Sequence, residues 1–150
     1  MIGLQRLLFV VFALFFVLPA LDPAFADTTE RVSVSSSGQE GNGCSGGRGY
    51  WVFHSYYSGN ISITPDGRYV AFASGASNLV EGDTGRYDIF VHDRLSGTTE
   101  RVSVSATGAE GNDNSLSPSI SADGRYVAFA SCATNLVEGD TNGWPDTFVH

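Results

Sequence analysis

The stretch DGRYVAFAS occupies Asp66–Ser74 and returns letter for letter at Asp123–Ser131. In each copy an Asp-Gly pair precedes a β-branched and aromatic run, which predicts a tight turn feeding a strand. Because YVAFA is apolar on both faces, that strand is expected to lie between neighbouring sheets. The correspondence continues at a constant offset of 57, from Ser58–Asp83 to Ser115–Asp140, and includes NLVEGD starting at Asn78 and Asn135. A period above about fifty residues marks a supersecondary unit repeated in space.

A second echo has another spacing. TTERVSVS stands at Thr28 and Thr98, followed by EGN at Glu40 and Glu110, an offset of 70. The mismatch places thirteen extra residues between Asn42 and Ser58, in the stretch GCSGGRGYWVFHSYY. One unit reads as four short strands closed by turn residues, exemplified by SLSPSIS, RYVAFAS, DIFVHDR and TTERVSVS. In the last, Val102 and Val104 alternate with Ser103 and Ser105, as in an outer strand with one solvated face. The chain then divides into a lone outer strand at 27–37, an insertion at 43–57, a complete unit at 58–108 and a unit cut short in its third strand at 113–150. Without helical periodicity after residue 26, the expected class is all-β, and four antiparallel strands per unit make a propeller blade.

The stretches SPSISADGRYVAFAS (Ser117–Ser131) and ISITPDGRYVAFAS (Ile61–Ser74), followed by DIFVHDR, resemble the TolB-like, WD-repeat-like β-propeller family. The resemblance covers nearly all of Asn60–His150 together with Thr28–Ser35. It implies stacked blades whose rim loops meet protein partners or envelope polymers. Propellers close with about 4 to 8 blades, and this length holds roughly two. The expectation is a segment of a longer protein, or a short chain that closes a ring by self-association through exposed blade edges.

Residues 1–26 carry one early cation, Arg6, then the apolar run Leu7–Leu18 and a small-residue ending, AFA. That pattern predicts a secretory signal peptide cleaved after Ala26, with no membrane span in the 124 residues that follow. Those residues hold seven arginines, fifteen acids and no lysine, so the net charge is −8 and nucleic acid is disfavoured as a partner. The expected location is periplasmic or secreted. There Cys44 and Cys132 are able to oxidise, although they occupy unmatched repeat positions and define no disulfide framework.

Several motifs bear on chemistry. Gly43–Gly47 matches GxSxG and Gly41–Gly46 matches GxGxxG, but a β-like aromatic stretch follows where either motif requires a helix. His92 and His150 fall at matching strand positions, which favours a structural role. Tyr50, Trp51, Phe53, Tyr56 and Tyr57 form either a stacking platform or packing for an inserted hairpin, the second being the ordinary use of such rings. GDTNGWPD offers calcium three oxygen ligands at Asp140, Asn142 and Asp146, whereas its earlier copy GDTGRYD retains Asp83 and Asp88 with Arg86 between them. A turn capping the entry to a strand is the competing reading of that loop. FG-GAP repeats carry a similar but longer acidic loop. Asn60-Ile61-Ser62 is a formal glycosylation sequon, and Glu30-Arg31 with Glu100-Arg101 read as solvated edge charges.

The function expected from these features is a non-catalytic envelope or secreted module that binds a protein or polymer through the connectors 75–87 and 132–145. The alternative is the gating propeller of an exported peptidase or other hydrolase whose catalytic domain lies elsewhere. No catalytic residue and no cofactor other than calcium is expected.

Overall fold

A computed structural model describes residues 29–46 and 61–150. The expected signal peptide, most of the insertion with its five aromatics, and Asn60 of the sequon lie outside the described residues. The Asp-Gly signals become turns at Gly67 and Gly124, whose φ values of 72° and 71° lie in the left-handed region that glycine tolerates. In both turns the Asp carboxylate is bracketed locally. Asp66 accepts from the Thr64 hydroxyl and the Arg68 amide, and Asp123 accepts from the Ser121 hydroxyl and the Arg125 amide.

Each turn feeds a strand. The first unit contains β1 (Ile61–Ile63), β2 (Tyr69–Ser74), β3 (Asp88–Asp93) and β4 (Thr98–Arg101), and the second contains β5 (Ser115–Ile120), β6 (Val127–Ser131) and β7 (Asp146–Val149). Their order is β1-β2-β3-β4 in one sheet and β5-β6-β7 in the other, and all neighbouring pairs are antiparallel. The protein is therefore all-β, and the two copies of the nine-residue block lie in separate sheets. Neither sheet closes into a barrel.

The sheets stack through a shared core. Phe129, Ala133, Leu136 and Phe148 of the second unit join Ala71, Ala73, Ile89 and Val91 of the first in one apolar cluster. The repeat-equivalent side chains Phe72, Ala76, Leu79 and Phe90 form a second cluster of their own. Each unit thus turns its Phe-Ala-Leu-Phe face backward, and the second unit seats that face on the small Ala71 and Ala73 of the first. Burying one such Phe is worth roughly 2–3 kcal/mol before packing terms. The turn of the second unit also touches the first, since a Cβ on Gly124 would come within 2.5 Å of the Tyr69 ring.

Two expectations about the segment after β3 change. The strand begun at Thr98 ends at Arg101, after which the chain bends to form a single bridge between Val104 and Glu110. Ser103, expected on a solvated face, is fully buried: its hydroxyl donates to Asp88 Oδ1 at 2.6 Å and accepts from the Ile89 amide at 3.0 Å. A buried carboxylate needs a donor more than the serine needs water. The corresponding early segment has the matching bridge, Val34 with Glu40, and a turn closed by the Gly38 amide on the Ser35 carbonyl.

The position of the insertion is sharper in the structure. Ser45 bridges to Ser74 with the two hydroxyls 2.8 Å apart, as Ser115 and Ser131 do at 2.9 Å. Equivalence at offset 70 therefore holds through Ser45, and the extra residues enter after it. In the sibling strand the same place is a bulge between Leu116 and Ser119, where Ser117 has a φ of 58°. An unpaired residue leaves the ladder intact on either side, so it is a tolerant point for added chain.

Candidate functional site

The recurrent EGN tripeptides clasp the connectors. Asn42 donates its amide to Asn78 Oδ1 and its Nδ2 to Ser77 Oγ, accepts from the Ser77 amide, and Asn78 Nδ2 donates to the Glu40 carbonyl. Asn112, Asn135, Thr134 and Glu110 repeat the four hydrogen bonds, all between 2.8 and 2.9 Å. Gly41 and Gly111 make room for this contact. A Cβ on Gly41 would press against Ala76 and Leu79 at 3.2 and 3.3 Å, and one on Gly111 against Ala133 and Leu136 at 3.3 and 3.5 Å. The segment after β4 is thereby fixed to the connector of the second unit, and its echo at 33–42, which forms the isolated Val34–Glu40 bridge and not the expected outer strand, to that of the first.

The clasp brings Glu110 onto two acids of the first unit. Asp83 comes from the 75–87 connector and Asp88 opens β3, and with Glu110 they place three carboxylates within 4.8 Å of one another. Arg101, at the end of β4, donates from Nη1 to Glu110 Oε1 at 2.8 Å and stands 3.8 Å from Asp83 Oδ1 and 4.0 Å from Asp88 Oδ2. The Thr84 amide also donates to Glu110 Oε1. The side chains of Asp83 and Asp88 are wholly buried, yet among the described residues Oδ2 of each lacks a hydrogen-bond partner, as does Arg101 Nε.

Burial pushes the Asp88 carboxyl up to about 7, against the Ser103 hydroxyl and with the help of the adjacent Glu110. Asp83 also moves up because of burial, opposed by the Gly85 amide and Arg101. Glu110 moves the other way: burial raises it, but the Thr84 amide, the Asp88 carboxyl and Arg101 together outweigh that. Three acids facing one arginine leave an excess of two negative charges in a low-dielectric place, a costly arrangement without a compensating proton or cation.

Asp140, Asn142 and Asp146, read from sequence as calcium ligands, line one open depression of about 430 Å³ with Val137, Glu138 and Phe148. Asn142 is engaged within its own loop, where Nδ2 donates to Asp146 Oδ2 at 2.8 Å and Oδ1 accepts from the Trp144 amide. Those contacts fit the turn reading of the loop. Asp83 and Asp88 are the first unit's counterparts of Asp140 and Asp146, and there Glu110 supplies the third acid. Glu110 was missed because EGN recurs as a sequence echo, whereas its contact joins segments in different phases of the repeat.

The remaining motif residues have structural partners. Ser45 of GxSxG is paired with Ser74, and a Cβ on Gly43 would strike the Gly75 carbonyl at 2.5 Å, so Gly43 serves close backbone approach. His92 is buried with Nδ1 2.8 Å from Thr99 Oγ1, while His150 pairs through its backbone with Val127. Glu30 pairs with Arg94 and Arg31 with Glu40, so these edge charges are engaged. Cys44 and Cys132 are both exposed free thiols. Among the described residues no helix is long and apolar enough to cross a membrane. No protein-family model matches the chain, and no curated protein matches it.

Proposed function

We propose that this chain is an exported, non-catalytic binding module, built from stacked antiparallel blades of the TolB-like kind, that holds a protein or cell-envelope polymer on its connectors. The observation that carries this reading is the fixed presentation of those connectors. Both are tied down by the same four-bond clasp, and the second holds Trp144 out with 76% of its surface in solvent, close in sequence to the exposed Val137. An aromatic shown to solvent on a loop closed by the Asn142 side chain brings large contact area for few rotatable bonds, the usual character of a binding anchor. The acidic balance of the chain favours a neutral or basic partner.

Two measurements test the reading. N-terminal sequencing of the exported product should begin at Asp27. Immobilised mature chain should retain purified peptidoglycan or a discrete protein of the envelope fraction, and Trp144→Ala combined with Val137→Ser should lower retention at least tenfold. A wild type that retains neither, or a double variant that retains the partner equally well, sinks the proposal.

A further inference from the structure

We propose that Asp83, Asp88 and Glu110 form a calcium site that locks the segment after β4 to the first unit and, through the clasp, to the second. The donor set contains only carboxylate oxygens, which select a hard cation. Calcium–oxygen distances of about 2.3–2.6 Å allow ligand atoms on opposite sides of an ion to lie roughly 5 Å apart, and all three residues offer atoms within 4.8 Å of one another. The second observation is independent of that spacing. Asp88 is fully buried, and among the described residues its Oδ2, like that of Asp83, has no hydrogen-bond partner although Arg101 stands nearby. Buried carboxylate oxygens are ordinarily satisfied; here the arginine's short contact goes to Glu110 and leaves the two aspartates to another cation.

Charge and flexibility decide which cation. With all three carboxylates ionised, Arg101 leaves an excess of two negative charges, which one divalent ion neutralises. Magnesium demands near-ideal octahedral geometry and gives up water reluctantly, whereas calcium accepts irregular carboxylate sets. The ligands come from the connector, the start of β3 and the clasp segment, so one ion would fix three pieces of chain that strand pairing leaves separate. Glu110 is also the residue whose carbonyl receives Asn135 Nδ2, so the ion's hold reaches the second sheet through a single residue.

This inference stands apart from the binding function, because it is read from the purified chain without a partner. Calorimetric titration of the metal-free mature chain with calcium chloride should show one ion bound per chain. At calcium a hundredfold above Kd the melting temperature should rise by about 5 °C or more over the chelated protein. Asp88→Asn and Glu110→Gln should each abolish that rise, while Asp140→Asn should keep it. If Asp88→Asn does not fold, the half-buried Glu110→Gln and the wild-type titration decide the matter. Absence of calcium binding, an unchanged shift in Glu110→Gln, or a shift lost only in Asp140→Asn would overturn the site, and an equal shift with magnesium would overturn its assignment to calcium.

Discussion

The same nine residues meet two environments. In the first sheet Ala71 and Ala73 are fully buried beneath the second, whereas Ala128 and Ala130, identical in sequence, are only half-buried on the far face of the second sheet. Tyr69 is packed against the Gly124 turn, while Tyr126 is 52% exposed. The Val-Phe face does not change in this way, since Phe72 and Phe129 are equally buried. The block therefore encodes a two-sided unit: its large side chains face the preceding element, and its alanines form a shallow bed for whatever stacks next. Burial in this protein is a property of position in the stack and not of the local letters.

The comparison is broken most forcefully by removing the ring that joins the sheets. Phe129→Ala should cost about 3–5 kcal/mol, read as a loss of midpoint in urea unfolding. Phe129 lies in the cluster shared by both sheets and stands 5.9 Å from the Phe148 ring. A loss below about 1 kcal/mol would mean that the second sheet does not rest on the first.

The alanine bed is tested by one substitution made twice. Ala73→Leu adds three carbons to a closed interface and should destabilise by about 1–3 kcal/mol. Ala130→Leu, made at the equivalent letter, faces a small cavity of about 150 Å³ lined by Leu116, Ser117 and Pro145 and should be nearly neutral. Equal effects would show that both faces are covered in solution.

The clasps supply the next effect, and they mark where the sequence stopped being readable. The offset of 57 foretold sibling sheets because a repeated hairpin is local: turn, strand and partner lie within a few residues of one another. The echo EGN was visible as well, but its hydrogen bonds reach 36 residues to Asn78 and 23 to Asn135, and recurrence alone does not say what a segment touches. The usable signal was that EGN and an Asn-Leu-Val-Glu-Gly-Asp connector always occur together, one per unit. Burial of Ser103 was hidden for a related reason, since alternation assigns faces only while a strand continues, and β4 has ended by then. Asn112→Ala removes one side of the second clasp and should cost about 1 kcal/mol, because its hydrogen bonds are exposed and water replaces part of each. Asn42→Ala should cost about as much, because Ala76 and Leu79 beneath the first clasp are as buried as Ala133 and Leu136 beneath the second. Thermal midpoints of the two variants check this, and a loss confined to one of them would show that the clasps are not equivalent.

The smallest expected difference concerns the arginines that follow the two Asp-Gly turns. Arg68 donates from Nε and Nη2 to the two oxygens of Asp93 at 3.0 and 2.8 Å, closing the turn of the first unit onto the end of β3. Each arginine also lies over the tyrosine that follows it, Arg68 over Tyr69 at 4.7 Å and Arg125 over Tyr126 at 5.5 Å, so the carboxylate pairing of Arg68 is the contact to test. Hydrogen bonding by Arg68, helped by the Leu95 amide, holds Asp93 well below the usual carboxylate range. A carboxyl whose folded pKa lies below its unfolded value stabilises the protein above that unfolded value, here 3.8, and loses the contribution as pH falls toward the folded pKa. Asp93→Asn should therefore lower the melting temperature slightly at neutral pH, and the gap to wild type should narrow below about pH 4. Arg125→Gln should give no such pH-dependent gap. If the Asp93→Asn gap instead widened on acidification, the latch would carry the opposite sign, and the first turn would be no more firmly held than the second.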